Sequence, residues 1–185
     1  MNETPSAGET PDLFSRFMAI DQACRDGDMD RLRAALGNTG EFPDTPLPPE
    51  LEIGEHILHH AIHVGPLEFI RALLQAGAGV NYGEGDTPPL FAAILCERDD
   101  RIAIMQSLID AGADVMQTGY NEWTPLHLAV NARDTEAIAL LCERGADPYW
   151  RAGDSDADTS AFDDALAMEF DEGVEAMLNA GRSAE

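Results

Sequence analysis

One arrangement of apolar and polar positions recurs four times along the chain. An apolar residue is followed by two spacers, two apolar residues, two more spacers and a glycine. It reads Ile70, Leu73, Leu74, Gly77, then Met105, Leu108, Ile109, Gly112, then Ile138, Leu141, Cys142, Gly145, then Val174, Met177, Leu178, Gly181. The glycines are 35, 33 and 36 residues apart. The apolar spacing is that of one face of an α-helix. A period of this length predicts a stacked array, in which each unit buries its apolar face only against its neighbours. The expected fold class is all-α, a solenoid of about five helix-turn-helix units.

The units follow from the same pattern. Residues 1–12 are polar and contain proline, and are expected to form a disordered tail. The first unit covers 13–36, with Phe14, Phe17, Met18, Ile20 and Ala23 on one helix, its outer side facing solvent. Gly27 breaks that helix, Asp28 can cap the next, and Leu32, Ala35 and Leu36 carry it. Residues 37–55 hold Pro43, Pro46, Pro48 and Pro49 and read as a long loop, in which Thr45-Pro46-Leu47 is a decoy for a unit opening. The second unit, 54–80, has Ile57, Leu58, Ala61 and Ile62 inside, with Pro66 in the first turn of its outer helix. The third, 86–115, carries Pro89, Leu90 and Ala93, with about three extra residues near Cys96–Asp100. In the fourth, 121–148, Thr124 caps, Pro125 starts the inner helix, and Leu126, Ala129 and Val130 point inward. Asp134 opens its outer helix and Gly145 closes it. The fifth, 159–181, offers Phe162, Ala165 and Leu166 as its inner face, and residues 182–185 remain as a C-terminal tail.

The phrase Thr124-Pro125-Leu126-His127-Leu128-Ala129, followed 16 residues later by Gly145-Ala146-Asp147, resembles the ankyrin repeat. Gly112-Ala113-Asp114-Val115 and Gly77-Ala78-Gly79-Val80-Asn81 match the same closing phrase. The other units depart from it: Thr87-Pro88-Pro89-Leu90 has an extra proline, and Ser160-Ala161-Phe162-Asp163 lacks the proline and histidine. The resemblance covers residues 13–181 and implies antiparallel helix pairs with loops projecting at about a right angle. It also implies protein binding through the loop tips and the concave face of the inner helices.

Composition narrows the partner. The 185 residues carry 35 acids against 11 bases, a net charge of −24, and every base is arginine. Such a field repels nucleic acid and anionic membrane surfaces and draws in a basic protein. The plainer alternative is that the acidity only keeps the chain soluble or suits a salt-rich habitat. No stretch approaches the length of a membrane helix, and the acidic N-terminus lacks a signal pattern, so a cytoplasmic protein is expected. Cys24, Cys96 and Cys142 each fall in an apolar helical pattern and read as core thiols.

The aromatic residues divide by chemistry. Phe14, Phe17, Phe69, Phe91, Phe162 and Phe170 fall in predicted helices, with Phe42 the exception. Tyr82, Tyr120, Trp123, Tyr149 and Trp150 all fall in inter-repeat loops, and are the candidate partner-binding residues. Trp123, just before Thr-Pro, also has the place of an aromatic that packs on the next unit. Between Arg151 and Arg182 there are nine acids and no base; Asp154, Asp156 and Asp158 join the candidate partner site. The same acids equally suit the polar outer face of a terminal unit. A calcium loop at Asp154–Asp158 fails, because Thr159 stands where glycine is needed and Ala165 where the bidentate glutamate is needed. His56, His59, His60 and His63 have the spacing of zinc-binding helices, but no acid lies between His59 and His63, and structural histidines are the better reading.

No nucleophile elbow, phosphate loop or Cys-His pattern is present. No cofactor or metal is therefore expected, nor any catalysis. The function expected is non-catalytic protein binding, sharpened to an acidic inhibitor or immunity-type protein that holds a basic partner as a monomer. The alternative is a scaffold or adaptor with no inhibitory role.

Overall fold

The computed structural model describes residues 13–37, 42–44, 56–82, 87–119, 122–151 and 159–182, with the side chains of 181–182 excepted. Ten helices run through them. They are α1 (Leu13–Asp26), α2 (Met29–Leu36), α3 (Ile57–Val64), α4 (Leu67–Gln75), α5 (Pro89–Leu95), α6 (Arg101–Asp110), α7 (Pro125–Asn131), α8 (Thr135–Glu143), α9 (Ala161–Ala167) and α10 (Asp171–Arg182). β structure in the described residues amounts to isolated bridges such as Arg151 with Ser160. Each odd-numbered helix packs on the even-numbered helix that follows it across a short link. The inner helices α1, α3, α5, α7 and α9 then contact one another in that order. The outer helices α4, α6, α8 and α10 do the same. The expected hairpins therefore lie one upon the next.

Local chemistry explains why each hairpin turns where it does. The outer helices α4, α6 and α8 end at Gly77, Gly112 and Gly145, with φ of 96°, 98° and 95°. In each case the next residue's N–H reaches back to a helix carbonyl at 3.0 Å: Ala78 to Leu73, Ala113 to Leu108, Ala146 to Leu141. This closure satisfies the last carbonyls and needs a left-handed residue, which glycine adopts without steric cost. The fourth glycine of the sequence pattern behaves differently, since α10 continues through Gly181 to Arg182. Three of the inner helices, α1, α7 and α9, close in the same way at Gly27, Arg133 and Glu169, with φ of 68°, 55° and 50°. The two non-glycine residues there carry a conformational penalty on the order of 1 kcal/mol. Arg133 has a compensating role: its guanidinium sits 4.5 Å from the centre of the Phe170 ring and donates to the Met168 carbonyl at 3.3 Å, clamping the fourth unit to the fifth.

Asp28, Thr124 and Asp134 cap helices where the sequence put them. Asp28 accepts from the N–H groups of Asp30 and Arg31, and Asp134 from that of Ala137. Thr124 opens α7 in a reciprocal capping box with His127, and Ser160 opens α9 in one with Asp163. Pro66 is itself the cap of α4, one residue before its expected place in the first turn.

The core is continuous along the array. Ile57, Leu58, Ala61, Ile62, Leu90, Ala93, Leu126, Ala129 and Val130 are all buried, as are Ile70, Leu73, Leu108, Ile138 and Leu141. Two apolar expectations need correction. Leu166, expected on the inner face of the fifth unit, is 53% exposed, because no further described helix packs over the place that Val130 has one unit earlier. Phe170, expected within a helix, lies in the link before α10 and is buried there. At the opposite end Phe14 and Met18 of α1 are exposed, while Ile20, Ala23 and Cys24 of the same helix are buried. The three cysteines are free thiols, and burial pushes the Cys24 thiol up to about 12 and that of Cys142 to about 11.

Of the long loop expected at 37–55, Gly37 ends α2 and residues 42–44 are described. Asp44 accepts from the Gly79 N–H at 2.7 Å, and Arg33 sits 4.5 Å from the centre of the Phe42 ring. Thr45-Pro46-Leu47 and the tail at 1–12 lie outside the described residues.

Candidate functional site

Loop tips projecting from a helical array can form a docking ridge only if something holds them in register. Here each loop is bonded to the next. The Asn81 amide donates to the Gly112 carbonyl at 2.9 Å and accepts from the Asp114 N–H at 2.8 Å. Gln117 donates to the Tyr82 carbonyl at 2.6 Å, and the Asp147 N–H approaches the Met116 sulfur at 3.3 Å. The links span 31 to 35 residues in sequence, one repeat each.

The structure separates the loop aromatics. His127, buried in α7, lies between two of them. The Trp123 ring is near-parallel to it at 6.3 Å, and the Trp150 ring meets it edge-on at 6.0 Å. His127 Nδ1 lies 3.3 Å from the Thr124 N–H, which it accepts. That leaves the proton on Nε2, facing the Thr159 carbonyl at 3.3 Å. Burial lowers the imidazole's affinity for a second proton, so this neutral bridge ties the fourth unit to the fifth. Trp123 and Trp150 are both half-buried against it. Tyr82 is half-buried as well, stacked on His56 at 3.9 Å. Tyr149 stands apart at 59% exposed, its ring resting against Phe162 at 5.1 Å and its N–H bonded to Asp147. Tyr120, Asp154, Asp156 and Asp158 lie outside the described residues.

The arginines show where the excess acid faces. Arg25, Arg31, Arg33, Arg71, Arg98, Arg101, Arg144 and Arg151 each pair with a carboxylate of this chain. Arg16 donates to the Ala35 and Leu36 carbonyls, and Arg133 is held at Phe170. Every arginine whose side chain is described is thus engaged internally. The exposed surface presents the surplus carboxylates.

His56, which caps α3, and the three histidines within α3 do not converge on a common point. His60 is buried, and its Nε2 meets Asp21 Oδ1 of α1 at 3.1 Å, while Arg25 holds the other Asp21 oxygen at 2.7 Å. His59 and His63 meet edge-on at 5.3 Å, and His56 turns to Tyr82. Among the described residues no three potential metal ligands come together. The Asp21–His60 link joins the first two units across 39 residues, and sequence reasoning missed it. The available signal was an acid set among Ile20, Ala23 and Cys24 on the apolar face of α1. Arg25 and the His60 imidazole hold the Asp21 carboxyl below its usual range, with the Arg25 hydrogen bond the larger cause.

The described surface also carries a cleft of about 640 Å³ between the third and fourth units. Leu95, Glu97 and Asp99 line one side, and Ala132 and Glu136 the other.

Comparison with known proteins agrees with this architecture. A family model of three ankyrin repeats matches residues 90–184, and a single ankyrin repeat matches residues 54–83. The nuclear factor NF-kappa-B p105 subunit of Mus musculus is 33% identical over 95 residues, covering 51% of this chain and 10% of that protein. The SH3 and multiple ankyrin repeat domains protein 2 of Homo sapiens is 31% identical over 100 residues, 52% of this chain and 5% of that protein. An L-asparaginase of Dirofilaria immitis is 40% identical over 55 residues, 30% of this chain, and the stretch is 9% of the enzyme, too little to carry its activity here. The chain spans between 5% and 10% of the length of these relatives. No helix among the described residues is long and apolar enough to cross a membrane. With ten stacked helices and repeat matches over more than half its length, the chain belongs to the ankyrin repeat family, a protein–protein interaction fold that is typically non-catalytic.

Proposed function

We propose that this protein is an acidic inhibitor that holds a basic partner protein, in the manner of an immunity protein bound to a toxin enzyme with a cationic substrate groove. The observation that carries this reading is the internal engagement of the arginines. With those cations paired inside the chain, the outward field is that of free carboxylates, and it steers a basic surface into contact. The field repels nucleic acid, so the partner is a protein. The protein acts as a monomer in the cytoplasm. The contact uses the inter-repeat loops and the concave face of the inner helices. Tyr149 is its favoured aromatic anchor, since its ring is exposed on a loop held by Asp147. Tyr82, Trp123 and Trp150 contribute their outer edges, and Tyr120, Asp154, Asp156 and Asp158 complete the surface.

Affinity capture at low and high salt, read by mass spectrometry, tests the proposal when followed by an activity assay on the captured protein. The expected capture is a protein of high isoelectric point that is lost in high salt and loses activity on stoichiometric addition of this chain. Tyr149→Ala should weaken that complex by at least about tenfold while leaving the melting curve unmoved. Neutral or acidic partners retained in high salt would defeat the reading. A basic partner that stays fully active would leave the scaffold alternative.

A further inference from the structure

The third unit differs from the others in its link. Residues 96–100 join α5 to α6, five residues where the α7–α8 and α9–α10 links have three and the first two pairs have two. The longer link is pinned. Arg98 grips Asp100 with two parallel bonds of 2.7 Å and sends its remaining nitrogen to the Gly65 carbonyl of the second unit at 2.6 Å. Cys96 is buried and its thiol donates to the Ala93 carbonyl at 3.1 Å. With the link drawn back against the second unit, the cleft opens on its other side, toward the fourth.

The lining of that cleft is of two kinds. Leu95 is 55% exposed there, at the end of a helix whose other residues are all buried. Glu97 and Asp99 are exposed beside it, with no bonded partner among the described residues, and Glu136 faces them at 69% exposure. The three arginines of the lining are already engaged: Arg98 with Asp100, Arg101 with Asp134 at 2.6 Å and, through its other nitrogen, with Glu136 at 4.0 Å, and Arg133 with the Phe170 ring. The volume lies within the range of specific binding clefts, roughly 300–1,000 Å³.

We propose that the cleft between the third and fourth units receives an arginine or lysine side chain of the partner protein, its aliphatic stem on Leu95 and its charge beside Glu97 and Asp99. An exposed aliphatic side chain beside the unpaired carboxylates of Glu97 and Asp99 is complementary to a cation on an apolar stem, which such residues carry and a bare metal ion does not. The pinned link keeps the carboxylates in place before binding, so little ordering is lost on contact. This assignment rests on the reading of a basic partner given above.

The test uses the full chain, labelled with nitrogen-15, titrated at low salt with an acetylated hexa-arginine amide. Chemical shifts should saturate and cluster at residues 94–101 and 132–136. The double variant Glu97→Gln/Asp99→Asn should bind the peptide about tenfold more weakly. Leu95→Ser, which alters no charge, should also weaken it. Glu172→Gln/Glu175→Gln removes the same charge from the last unit and should change affinity less than about twofold. Equal losses from the two double variants, or shifts spread evenly over the acidic surface, would overturn the cleft and leave the basic-partner reading standing. Absence of saturable binding to the wild-type chain at low salt would sink both.

Discussion

Leu141 and Leu166 offer the same perturbation in two environments, and the array makes opposite demands on them. Leu141 lies on α8, which packs against α6, α7 and α10, and its side chain is completely buried. Leu141→Ala removes an isopropyl group from that site. At about 0.8 kcal/mol per buried carbon the transfer loss is roughly 2.4 kcal/mol, and an unfilled cavity raises it into the range of about 2–5 kcal/mol. Leu166 on α9 is 53% exposed. The same truncation there loses a little under half of that transfer energy and leaves no enclosed void, so its cost is about 1 kcal/mol or less. For a chain of this size each kcal/mol moves the melting temperature by roughly 2–4 °C. Circular dichroism melts should therefore show a drop of roughly 5–15 °C for Leu141→Ala and less than about 4 °C for Leu166→Ala. Hydrogen exchange in α8 and α10 should rise in the first variant and hold in the second. Equal shifts in the two variants would refute the argument that the terminal unit is open where Leu166 sits.

Two further perturbations address the interior. Burial and the neighbouring histidines His63, His56 and His60 lower His59 to about 4, against an ordinary value of 6.5, and burial lowers His60, His63 and His127 too. Between those values the unfolded chain binds more protons than the folded one, so the stabilisation is complete above about 6.5 and falls as pH drops toward 4. Urea midpoints across that window should decline, and His59→Gln should flatten the slope; a variant with the wild-type slope would remove His59 from the account. A methyl group added at Gly119 would stand 2.5 Å from the ring of Phe91, which is buried and unable to swing aside. Gly119→Ala should thus cost about 1–3 kcal/mol in urea denaturation, and an unchanged midpoint would contradict the packing of Phe91 beneath that loop.

Much of this molecule was legible in the order of its residues because a repeat array is built from local rules. The period, the helix faces, the caps at Asp28, Thr124 and Asp134, and the left-handed turns at Gly77, Gly112 and Gly145 each depend on contacts a few residues apart. A periodic pattern records such contacts directly, and so it fixed the fold class and the protein-binding role that the family carries. What the pattern could not record are contacts set by which unit lies beside which. The apolar character of Leu166 says nothing of whether a neighbour covers it. The tie between Asp21 and His60 spans 39 residues. The loop aromatics looked alike in sequence, yet packing divided them: His56 at the start of α3 and His127 of α7 hold Tyr82, Trp123 and Trp150 half-buried, while Tyr149 is left exposed. The extra residues at 96–100 were visible as a lengthening, but only their anchorage on Gly65 opens a cleft beside them. Sequence determines which surfaces are sticky, and stacking decides which of them remain in contact with water.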